Sequence, residues 1–311
     1  MQIIRDVINL KPQHQGSVVT IGNFDGVHCG HQAILHEVRK KATSLGVPAM
    51  LICFEPQPRE FFDVFNAPAR LTRFREKVSL LAEHGIDLVL CSKFTEKTRS
   101  MTAQQFVKIL AEDVIASALF IGDDFRFGHD RSGDFALLSE AGKYYGFDVI
   151  NHHTLTHGQM RVSSTRIREC LAQGEFKLAE SLLGHPYTII GKVVYGRQIG
   201  KTLGVPTANI QLHRYRAPID GVYAVEISGL DKIYQGVANV GVRPTIEEAT
   251  LKPILEVHIF DFDEEIYGRQ VQVRFLHKIR DEKKFSGLDE LKAAIFSDIE
   301  QAHTFFNGAG K

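Results

Sequence analysis

Gly22-Asn23-Phe24-Asp25-Gly26-Val27-His28-Cys29-Gly30-His31 follows the apolar run Ser17–Ile21 and precedes a helical pattern that continues to about Leu45. A strand, a glycine-rich turn and a helix in this order present backbone N–H groups and the positive end of the helix dipole to a phosphate group. Because His28 and His31 flank the start of the helix, both imidazoles can reach one ligand. We therefore expect the turn to bind a triphosphate; the alternative is a plain turn whose histidines are surface caps.

The order of segments up to about Gly184 predicts the first fold. Short apolar runs alternate with helical stretches, which is typical of an α/β domain with a doubly wound, Rossmann-like parallel sheet. Ligands of such sheets bind beyond the carboxyl ends of the strands, where Gly22–His31 and Gly122–Gly128 both fall. The expected strands are Ser17–Ile21, Val47–Phe54, Ile86–Cys91, Ala118–Ile121 and Phe147–Ile150. The expected helices after the first are Phe74–His84 and Thr102–Asp113, the latter opened by a capping box.

From Pro186 onward, strand-like segments follow one another with little helix between them. This pattern predicts a small antiparallel β-barrel, closed by an amphipathic helix at about Leu288–Phe305. The expected strands are Tyr187–Tyr195, Val222–Ile227, Ile233–Val240, Leu255–Phe262 and Gln270–Lys278. We place the boundary near Gly184–Pro186, so that residues 1–185 and 186–311 form two domains, with Ser164–Gln173 and Phe176–Leu183 as bridging helices.

The composition limits the class of function. The chain has 311 residues, 44% of them hydrophobic and 24% charged, which is typical of a soluble globular protein of two domains. The 37 basic residues balance 37 acidic residues, so no nucleic-acid partner is expected. No apolar run reaches the ~20 residues of a membrane helix, and no signal peptide is recognised. Four cysteines without a CxxC pair favour a cytoplasmic location; the oligomeric state is left open.

Two sequence elements of the first half resemble a known superfamily. Gly22–His31 resembles the HxGH signature of the nucleotidyltransferases, and Val162–Arg168 resembles their downstream SSTxxR element. Ser164 and Thr165 are expected to cap a helix whose first turn carries Arg168, which provides donors for the β- and γ-phosphates. The resemblance implies that the catalytic residues are His28 and His31, and that the ATP-binding residues are Gly22, Asn23, Phe24, Gly30, Ser164, Thr165 and Arg168.

A third element makes this resemblance more specific. Gly122–Gly128 and Arg131–Asp134 resemble a segment of the FMN adenylyltransferases of bacterial FAD synthetases. The HxGH signature alone would also fit class I aminoacyl-tRNA synthetases or pantetheine-phosphate adenylyltransferases. The implied flavin-binding residues are Asp123, Phe125, Arg126 and Phe127. One departure is Gln57, which stands where the family commonly has histidine, so this position cannot carry a positive charge.

The second half contains Gly200-Lys201-Thr202, which superficially resembles a Walker A loop. The Walker A pattern requires glycine at the position of Tyr195 and a helix afterwards, so we reject this interpretation. Pro206-Thr207-Ala208-Asn209 instead resembles the PTAN motif of riboflavin kinases. The oxygens of Thr207 and Asn209 point the same way on an extended segment and suit Mg²⁺ that is also held by ATP phosphates. We therefore expect both residues to be metal ligands.

Glu256 is the expected base of the kinase reaction. Strand alternation places Glu256 and His258 on one face and apolar residues on the other, so the carboxylate can accept the proton of the ribityl hydroxyl. The family's catalytic base matches this position; the alternative is a solvated glutamate. Gly200 and Lys201 are the expected ATP-binding residues of this half. Tyr195 and Lys201 depart from the frequent histidine and arginine, and lysine lacks the bidentate fork of arginine.

The resemblance covers nearly all of both halves. It implies a bifunctional enzyme that phosphorylates riboflavin to FMN and then adenylylates FMN to FAD, with ATP and Mg²⁺. Two rival hypotheses stay open: an adenylyltransferase for another phosphate ester with a degenerate kinase barrel, and a non-catalytic flavin- or RNA-binding protein.

Two local questions also stay open. Phe61, Phe62 and Phe65 form either a wall near a flavin or part of the core, and Cys29 is either a reactive thiol with a depressed pKa or an inert residue.

Overall fold

The computed structural model describes residues 1–122, 124–152, 156–157, 160–196, 200, 203–244 and 251–308. The chain divides into two compact units. The first unit consists of Met1–Pro68 and Phe74–Ser163, and the second consists of Ala69–Arg73 and Ser164–Lys311. The two helices expected to bridge the halves therefore belong to the second unit, while the boundary after residue 185 stays a prediction about the functional domains.

The first unit contains a six-stranded, entirely parallel sheet in the order β1-β4-β3-β2-β5-β6. Its strands are β1 (Gln2–Arg5), β2 (Val18–Ile21), β3 (Ala49–Phe54), β4 (Leu88–Ser92), β5 (Ala118–Gly122) and β6 (Asp148–His152). The chain leaves β2 toward β3 on one side and returns to its other side with β5, so the strand order reverses at β2 and β5. Ligands of doubly wound sheets bind at such a point, and the two glycine-rich segments follow these two strands.

Helices cover both faces of this sheet, as the alternation of segments predicts. They are α1 (Cys29–Leu45), α2 (Pro58–Phe62), α3 (Phe74–Glu83), α4 (Glu96–Arg99), α5 (Ala103–Lys108) and α6 (Phe135–Tyr145). Successive strand residues point to opposite faces and enter two separate cores. One core contains residues of α5 and α6, and the other contains buried residues of α1 and α3. The short strands β7 (Thr156–His157) and β8 (Met160–Arg161) form a separate antiparallel pair.

The ends of two helices follow the expected capping chemistry. Helix α1 ends where Gly46 adopts the left-handed conformation, with φ of 68°, because glycine has no Cβ to oppose it. Helix α5 begins with the expected capping box, in which the Thr102 hydroxyl accepts from the Gln105 N–H and the Gln105 side chain accepts from the Thr102 N–H. The segment that follows, Ile109–Asp113, is a π-helical turn rather than a continuation of the α-helix.

The second unit contains a closed, antiparallel six-stranded barrel, which confirms the predicted fold. The barrel order is β10-β13-β12-β11-β14-β9, and β9 pairs with β10 to close it. The strands are β9 (Thr188–Val194), β10 (Ala208–Ile210), β11 (Gly221–Ser228), β12 (Tyr234–Pro244), β13 (Leu251–Ile259) and β14 (Gln270–Arg280). Along β14, Val271, Val273 and Phe275 are buried and alternate with more exposed polar residues, as expected for a strand with one face in a core.

Three helices pack against the barrel or lead into it: α7 (Ser164–Ala172), α8 (Phe176–Leu183) and α9 (Leu288–Gly308). Helix α9 is fastened to β14 by a two-point ion pair, in which Nε and Nη2 of Arg280 each lie 2.8 Å from a carboxylate oxygen of Asp298. His303 stacks on Phe260 with ring centroids 4.1 Å apart. Within the described residues, none of the helices combines the length and the apolar composition that crossing a bilayer requires.

We expect Asp298→Asn to destabilise the barrel unit. The Asp298 side chain is only 7% exposed, so the change leaves the Arg280 guanidinium without its charged partner in a largely dry interface. Loss of such charge-assisted hydrogen bonds should lower the free energy of unfolding by about 2–3 kcal/mol. Urea unfolding measures the change. Glu300→Gln, an exposed change on the same helix, is the control and should stay within about 0.5 kcal/mol of the wild type; equal effects of the two variants would contradict this account.

Candidate functional site

The turn after β2 holds an unusual backbone conformation. Phe24, Gly26 and Val27 all have positive φ, of 46°, 85° and 41°. For the two residues other than glycine, this conformation costs about 1–2 kcal/mol each. The buried positions of Phe24 and Val27 in the core beneath the turn stabilise it. A Cβ on Gly22 would lie 3.2 Å from the Phe24 ring, so glycine gives this ring its space.

His28 and His31 are brought together at the start of α1. His28 is the N-cap residue, and its Nδ1 accepts a hydrogen bond from the backbone N–H of His31 at 3.3 Å. The two rings stack with centroids 3.6 Å apart. Since Nδ1 of His28 accepts a hydrogen bond, the proton of the neutral ring must be on Nε2. His28 therefore has a donor on the side of the ring that faces away from the helix backbone.

The environment of His31 keeps its imidazole uncharged. Phe24 contacts the ring with centroids 4.5 Å apart, and Nδ1 of His31 is enclosed without a hydrogen-bond partner among the described residues. Burial lowers the pKa of His31 well below its usual value of 6.5, and electrostatic interactions with His28 and Lys77 lower it further. His31 is thus neutral at pH 7, and it can serve as a neutral donor without carrying a charge.

Cys29 and Gly30 lie between the two histidines. Burial raises the pKa of the Cys29 thiol above its usual value, which contradicts the alternative of a reactive thiol with a depressed pKa and favours that of an inert residue. The helix N-terminus does not outweigh the loss of water around the sulfur. A Cβ on Gly30 would lie 3.3 Å from the His28 ring, so glycine at this position lets the histidine ring lie close to the helix.

The segment after β5 contains the expected flavin-binding residues, except that Asp123 lies outside the described residues. The rings of Phe125 and Phe127 stack with centroids 5.5 Å apart. Phe127 is buried against Phe106, whereas Phe125 is only partly buried. Arg126 is exposed, and its Nη1 donates to the Phe125 carbonyl at 2.8 Å. Phe127 is therefore a core residue that supports Phe125, and Phe125 presents the accessible ring.

An exposed aromatic cluster lies beyond the ends of β3 and β4. Phe94 contacts Phe54, Phe61 and Phe62 edge to face, with ring centroids 5.3–6.0 Å apart. Phe62 is 62% exposed and Phe65 is 60% exposed, so these rings are not part of the core. Large exposed apolar side chains grouped in this way are typical of a binding surface. Gln57 caps α2 nearby in the chain, and its Nε2 is buried without a partner in the described part of the molecule.

The SSTxxR residues begin helix α7 in the second unit. Ser164 and Thr165 are the first two helical residues rather than caps that precede the helix, and Arg168 lies one turn further on. The guanidinium Nε of Arg168 donates to the Ala69 carbonyl at 2.5 Å. This bond holds the Nε side of the Arg168 guanidinium group in place.

The barrel contains a cavity of about 280 Å³ between its strands and α9. Most of its wall is apolar, and a small number of polar groups converge on it, as in many small-molecule sites. The apolar residues include Leu203, Val205, Val222, Val237, Phe285, Leu291 and Ile295. The polar residues include Thr207, Asn239, Glu256, His258, Arg280 and Lys283. Arg280 and Lys283 also lie over the Phe285 ring, 5.5 and 5.6 Å from its centroid.

Glu256 lies in the centre of a row of polar residues that crosses three strands. It pairs directly with Asn209 on β10 and with Asn239 on β12. Residues opposite each other in antiparallel strands share a face, so the three side chains lie side by side. Glu256 and His258 line the cavity, whereas Leu255, Val257 and Ile259 are buried on the other face, as strand alternation predicts. Sequence reasoning missed Asn239, whose signal is a single amide within the apolar strand Gly236–Val240.

The PTAN segment is held beside Glu256 by backbone contacts. Nδ1 of His258 lies 2.8 Å from the Pro206 carbonyl, which ties this segment to β13. Residues 203–207 are not helical and strand β10 follows at Ala208, so the described residues after this turn do not form the helix of a Walker A site. Thr207 lines the cavity, and a Cβ on Gly200 would lie 3.2 Å from its hydroxyl oxygen. Lys201 lies outside the described residues.

Tyr195, which departs from the kinase pattern, lies at the surface of the second unit. Its side chain is 74% exposed and stacks on Tyr267 with ring centroids 3.9 Å apart. The Asn209 side chain packs against the backbone of Gly196. A Cβ at Gly196 would lie 2.2 Å from the Asn209 amide nitrogen. Glycine at position 196 therefore leaves the space that the Asn209 side chain occupies.

Comparison with known proteins assigns each half of the chain to a known family. A family model described as FAD synthetase matches residues 10–166, and one described as riboflavin kinase matches residues 183–306. The bifunctional riboflavin kinase/FMN adenylyltransferase of Escherichia coli K12 is 49% identical over 98% of both chains. The protein of the same description from Haemophilus influenzae is 48% identical over 99% of this chain and 100% of its own.

A solved structure described as a macrolide-efflux protein from Streptococcus pneumoniae has the same fold. Its TM-score is 0.77 at 31% identity, with 95% of this chain and 97% of that chain covered. The fold and the two sites thus define a nucleotidyltransferase unit joined to a riboflavin kinase barrel. The chain belongs to the family of bifunctional riboflavin kinase/FMN adenylyltransferases.

The lowered pKa of His31 predicts how the first unit responds to acid. The unfolded chain binds a proton at His31 near pH 6.5, whereas the folded chain binds it only at lower pH. Stability should therefore fall as pH falls through 6.5 toward the folded pKa, by up to about 1.4 kcal/mol per pH unit from this group. His31→Gln should remove this part of the acid sensitivity in urea unfolding at pH 7.5 and 5.5. His36→Gln, an exposed change on the same helix, is the control and should leave the sensitivity intact.

Proposed function

We propose that this chain makes FMN from riboflavin in the barrel unit and FAD from FMN in the unit with the parallel sheet, using ATP in both reactions. The observation that carries the proposal is the presence of two groups of functional side chains, one in each unit of the chain. One is the stacked pair His28 and His31 at a helix N-terminus, and the other is Glu256 on the wall of a largely apolar cavity. The functional domains are residues 1–185 and 186–311.

In the kinase reaction, riboflavin occupies the barrel cavity. The flavin ring lies against apolar residues such as Phe285 and Leu291, and the ribityl terminal hydroxyl reaches Glu256. Glu256 accepts the proton as the hydroxyl oxygen bonds to the γ-phosphorus of ATP, and ADP leaves with the electrons of the broken P–O bond. Asn239 lies directly beside Glu256 and restricts the position of the carboxylate. Gly200 and Lys201 bind the nucleotide.

The donors beside Glu256 suit a magnesium ion that is bound together with ATP. Thr207 offers a hydroxyl oxygen and Asn209 an amide oxygen, which are hard neutral ligands of the kind that Mg²⁺ accepts. Glu256 adds one carboxylate to the same row, and phosphate oxygens supply the remaining negative charge. When bound, the ion neutralises charge on the transferred phosphoryl group. Because these protein ligands bring at most one negative charge, we expect the phosphates of the nucleotide to complete the site.

In the adenylyltransferase reaction, a phosphate oxygen of FMN bonds to the α-phosphorus of ATP and pyrophosphate leaves. The substrate supplies the nucleophile, so the protein acts by orienting and stabilising charge. His28 donates from Nε2, His31 donates as a neutral imidazole, and the N-terminus of α1 presents backbone N–H groups. The remaining ATP-binding residues are Gly22, Asn23, Phe24, Gly30, Ser164, Thr165 and Arg168.

The flavin of FMN is bound by aromatic rings of the same unit. Phe125 contacts the flavin and Phe127 supports it from the core, while Asp123 and Arg126 provide polar contacts. The exposed cluster around Phe62 is a second apolar wall for the ring system. Stacking on aromatic side chains suits a flat ligand, since offset and edge-to-face arrangements are both favourable.

The other hypotheses are less well supported. A degenerate barrel would not retain a polar row with a carboxylate beside a ligand-sized cavity, as the described residues do. A non-catalytic binding protein would not need Glu256, His28 and His31 together. The equal numbers of acidic and basic residues argue against a nucleic-acid partner. The four cysteines form no CxxC pair in the sequence, which favours a cytoplasmic location.

The two activities should separate by mutation. Glu256→Gln removes the proposed base and should lower riboflavin phosphorylation by about 10²–10⁴-fold, while FMN plus ATP still gives FAD. His31→Ala should stop the two-step reaction at FMN, with the rate of FAD formation lowered by about 10²–10³-fold. Chromatographic separation of the flavins measures both. Glu264→Gln and His36→Ala, which change exposed residues of the same units, should leave both activities intact. Loss of both activities in either site variant, with folding preserved, would contradict the two-site proposal.

Metal should bind to the barrel site only with nucleotide. We expect calorimetry to show no tight Mg²⁺ binding to the protein alone and clear binding after addition of ADP, because the proposed protein ligands contribute little negative charge. Thr207→Val should raise the KM for Mg-ATP in the kinase reaction by about tenfold, the effect of losing one good ligand contact. Thr207→Ser keeps the hydroxyl and should resemble the wild type. Tight Mg²⁺ binding to the nucleotide-free protein would count against this site.

A further inference from the structure

Helix α3, which packs on the same face of the sheet as α1, carries a fully buried lysine. Lys77 on α3 has 0% of its surface exposed, and its Nζ has no hydrogen-bond partner among the described residues. An ammonium group in such a position is costly unless another group compensates its charge. Helix α3 also contributes the apolar side chain of Leu81 to the core on this face of the sheet, and its Glu76 is buried as well. A methionine or leucine at position 77 would fill the same space without that cost, so packing alone does not account for the charge.

The ionisable groups around Lys77 come from three elements. Cys53 on β3 and Cys91 on β4 are direct neighbours across the sheet, and the charge of Lys77 acts on both thiols. Glu55, just after β3, acts on the same thiols with the opposite sign. Cys91 accepts a hydrogen bond from Cys53, which lowers its pKa to about 7, and Nη1 of Arg5 lies 3.5 Å from its sulfur. The charges of Lys77 and Glu55 thus meet at the two thiols, and none of these groups accepts a hydrogen bond from the Lys77 ammonium.

The other neighbour of Lys77 is His31. The positive charge of Lys77 reaches this imidazole, whose Nδ1 is likewise enclosed without a partner in the described part of the chain. Helices α1 and α3 pack on the same face of the sheet, and each carries an enclosed polar group without a hydrogen-bond partner among the described residues. Such groups require an explanation beyond packing, and a ligand bound nearby is one. An anion suits this position best, because an ammonium has only donors to offer and its positive charge attracts negative charge. The anions of this site are the phosphates of ATP and the departing pyrophosphate.

We propose that Lys77 is a positioning residue of the adenylyltransferase reaction, whose fixed positive charge holds the pyrophosphate end of ATP at His28 and His31. Negative charge grows on that end as pyrophosphate leaves, and a buried cation stabilises it more than an exposed one because little water screens the interaction. The two histidines are donors without a permanent charge, so the charge has to come from another residue. This inference rests on the proposed role of the histidine pair.

The test compares Lys77→Met, Lys77→Gln and Lys77→Arg with the wild type. The Met and Gln variants should raise the KM for ATP in FAD formation and the Kd for pyrophosphate by about tenfold or more, the effect of losing a charge-assisted contact. The Arg variant keeps the charge and should recover part of the affinity. The KM for FMN and the riboflavin kinase activity should not change, because FMN is bound by other residues and phosphorylation occurs in the other unit.

A second measurement and a control separate this role from a structural one. Removing the Lys77 charge should raise the pKa of His31, which nuclear magnetic resonance titration of the imidazole protons measures. Leu81→Ala is the matched control, since Leu81 is fully buried one turn further along α3. This variant should lower stability and leave pyrophosphate affinity unchanged.

Two results would overturn the proposal. One is unchanged pyrophosphate affinity in Lys77→Met and Lys77→Gln. The other is an equal loss of affinity in Leu81→Ala at matched stability. A parallel assay of His31→Ala tests the histidine pair separately. If that variant keeps full FAD formation, the role of the pair is wrong, whatever the result at Lys77.

Discussion

The hydrogen bond from the His31 backbone N–H to Nδ1 of His28 sets the geometry of the first site. The bond caps α1, stacks the two rings and leaves the His28 proton on Nε2. The turn before it must reverse the chain within a few residues, and for this reason Phe24 and Val27 adopt a conformation that most residues avoid. Burial of both side chains in the core stabilises the strained turn. The site is therefore rigid because the core beneath it is rigid, in agreement with the general observation that strained backbone clusters at functional positions.

The second site obtains its rigidity from a different source. In a closed barrel every strand has two partners, so the register of one strand is fixed from both sides. Glu256 lies between Asn209 and Asn239 because β13 pairs with β10 and β12 in this register. A shift of one residue would move Glu256 to the buried face, where Leu255 and Val257 now lie. Since that shift would bury a carboxylate and expose apolar residues, the register that places Glu256 on the cavity is also the register that gives the barrel its core.

Much of this arrangement could be predicted from sequence, because it depends on local chemistry. The glycines and histidines of the first turn, the capping box of α5 and the alternation along β14 all have short-range signals. Strand β1 was missed because only Ile4 of its four residues is buried, so it shows no alternation. The sequence left two alternatives open for the Cys29 thiol, because the burial that raises its pKa is a property of the whole fold. Asn239 and Lys77 were missed for the same reason, since each becomes informative only through neighbours that are distant in the chain.

The balance of charge connects these observations to anion binding. The chain has 37 basic and 37 acidic residues, so its net charge cannot attract ATP, and the attraction must come from local groups. A neutral His31 and the His28 Nε2 donor give direction but little long-range attraction. A buried cation without a hydrogen-bond partner among the described residues gives the opposite, a strong field in a poorly screened region without a fixed direction. Neutral donors and a buried charge therefore complement each other. In the proposed site the donors would select the geometry of the triphosphate, and the buried charge would favour the state in which pyrophosphate carries the most negative charge.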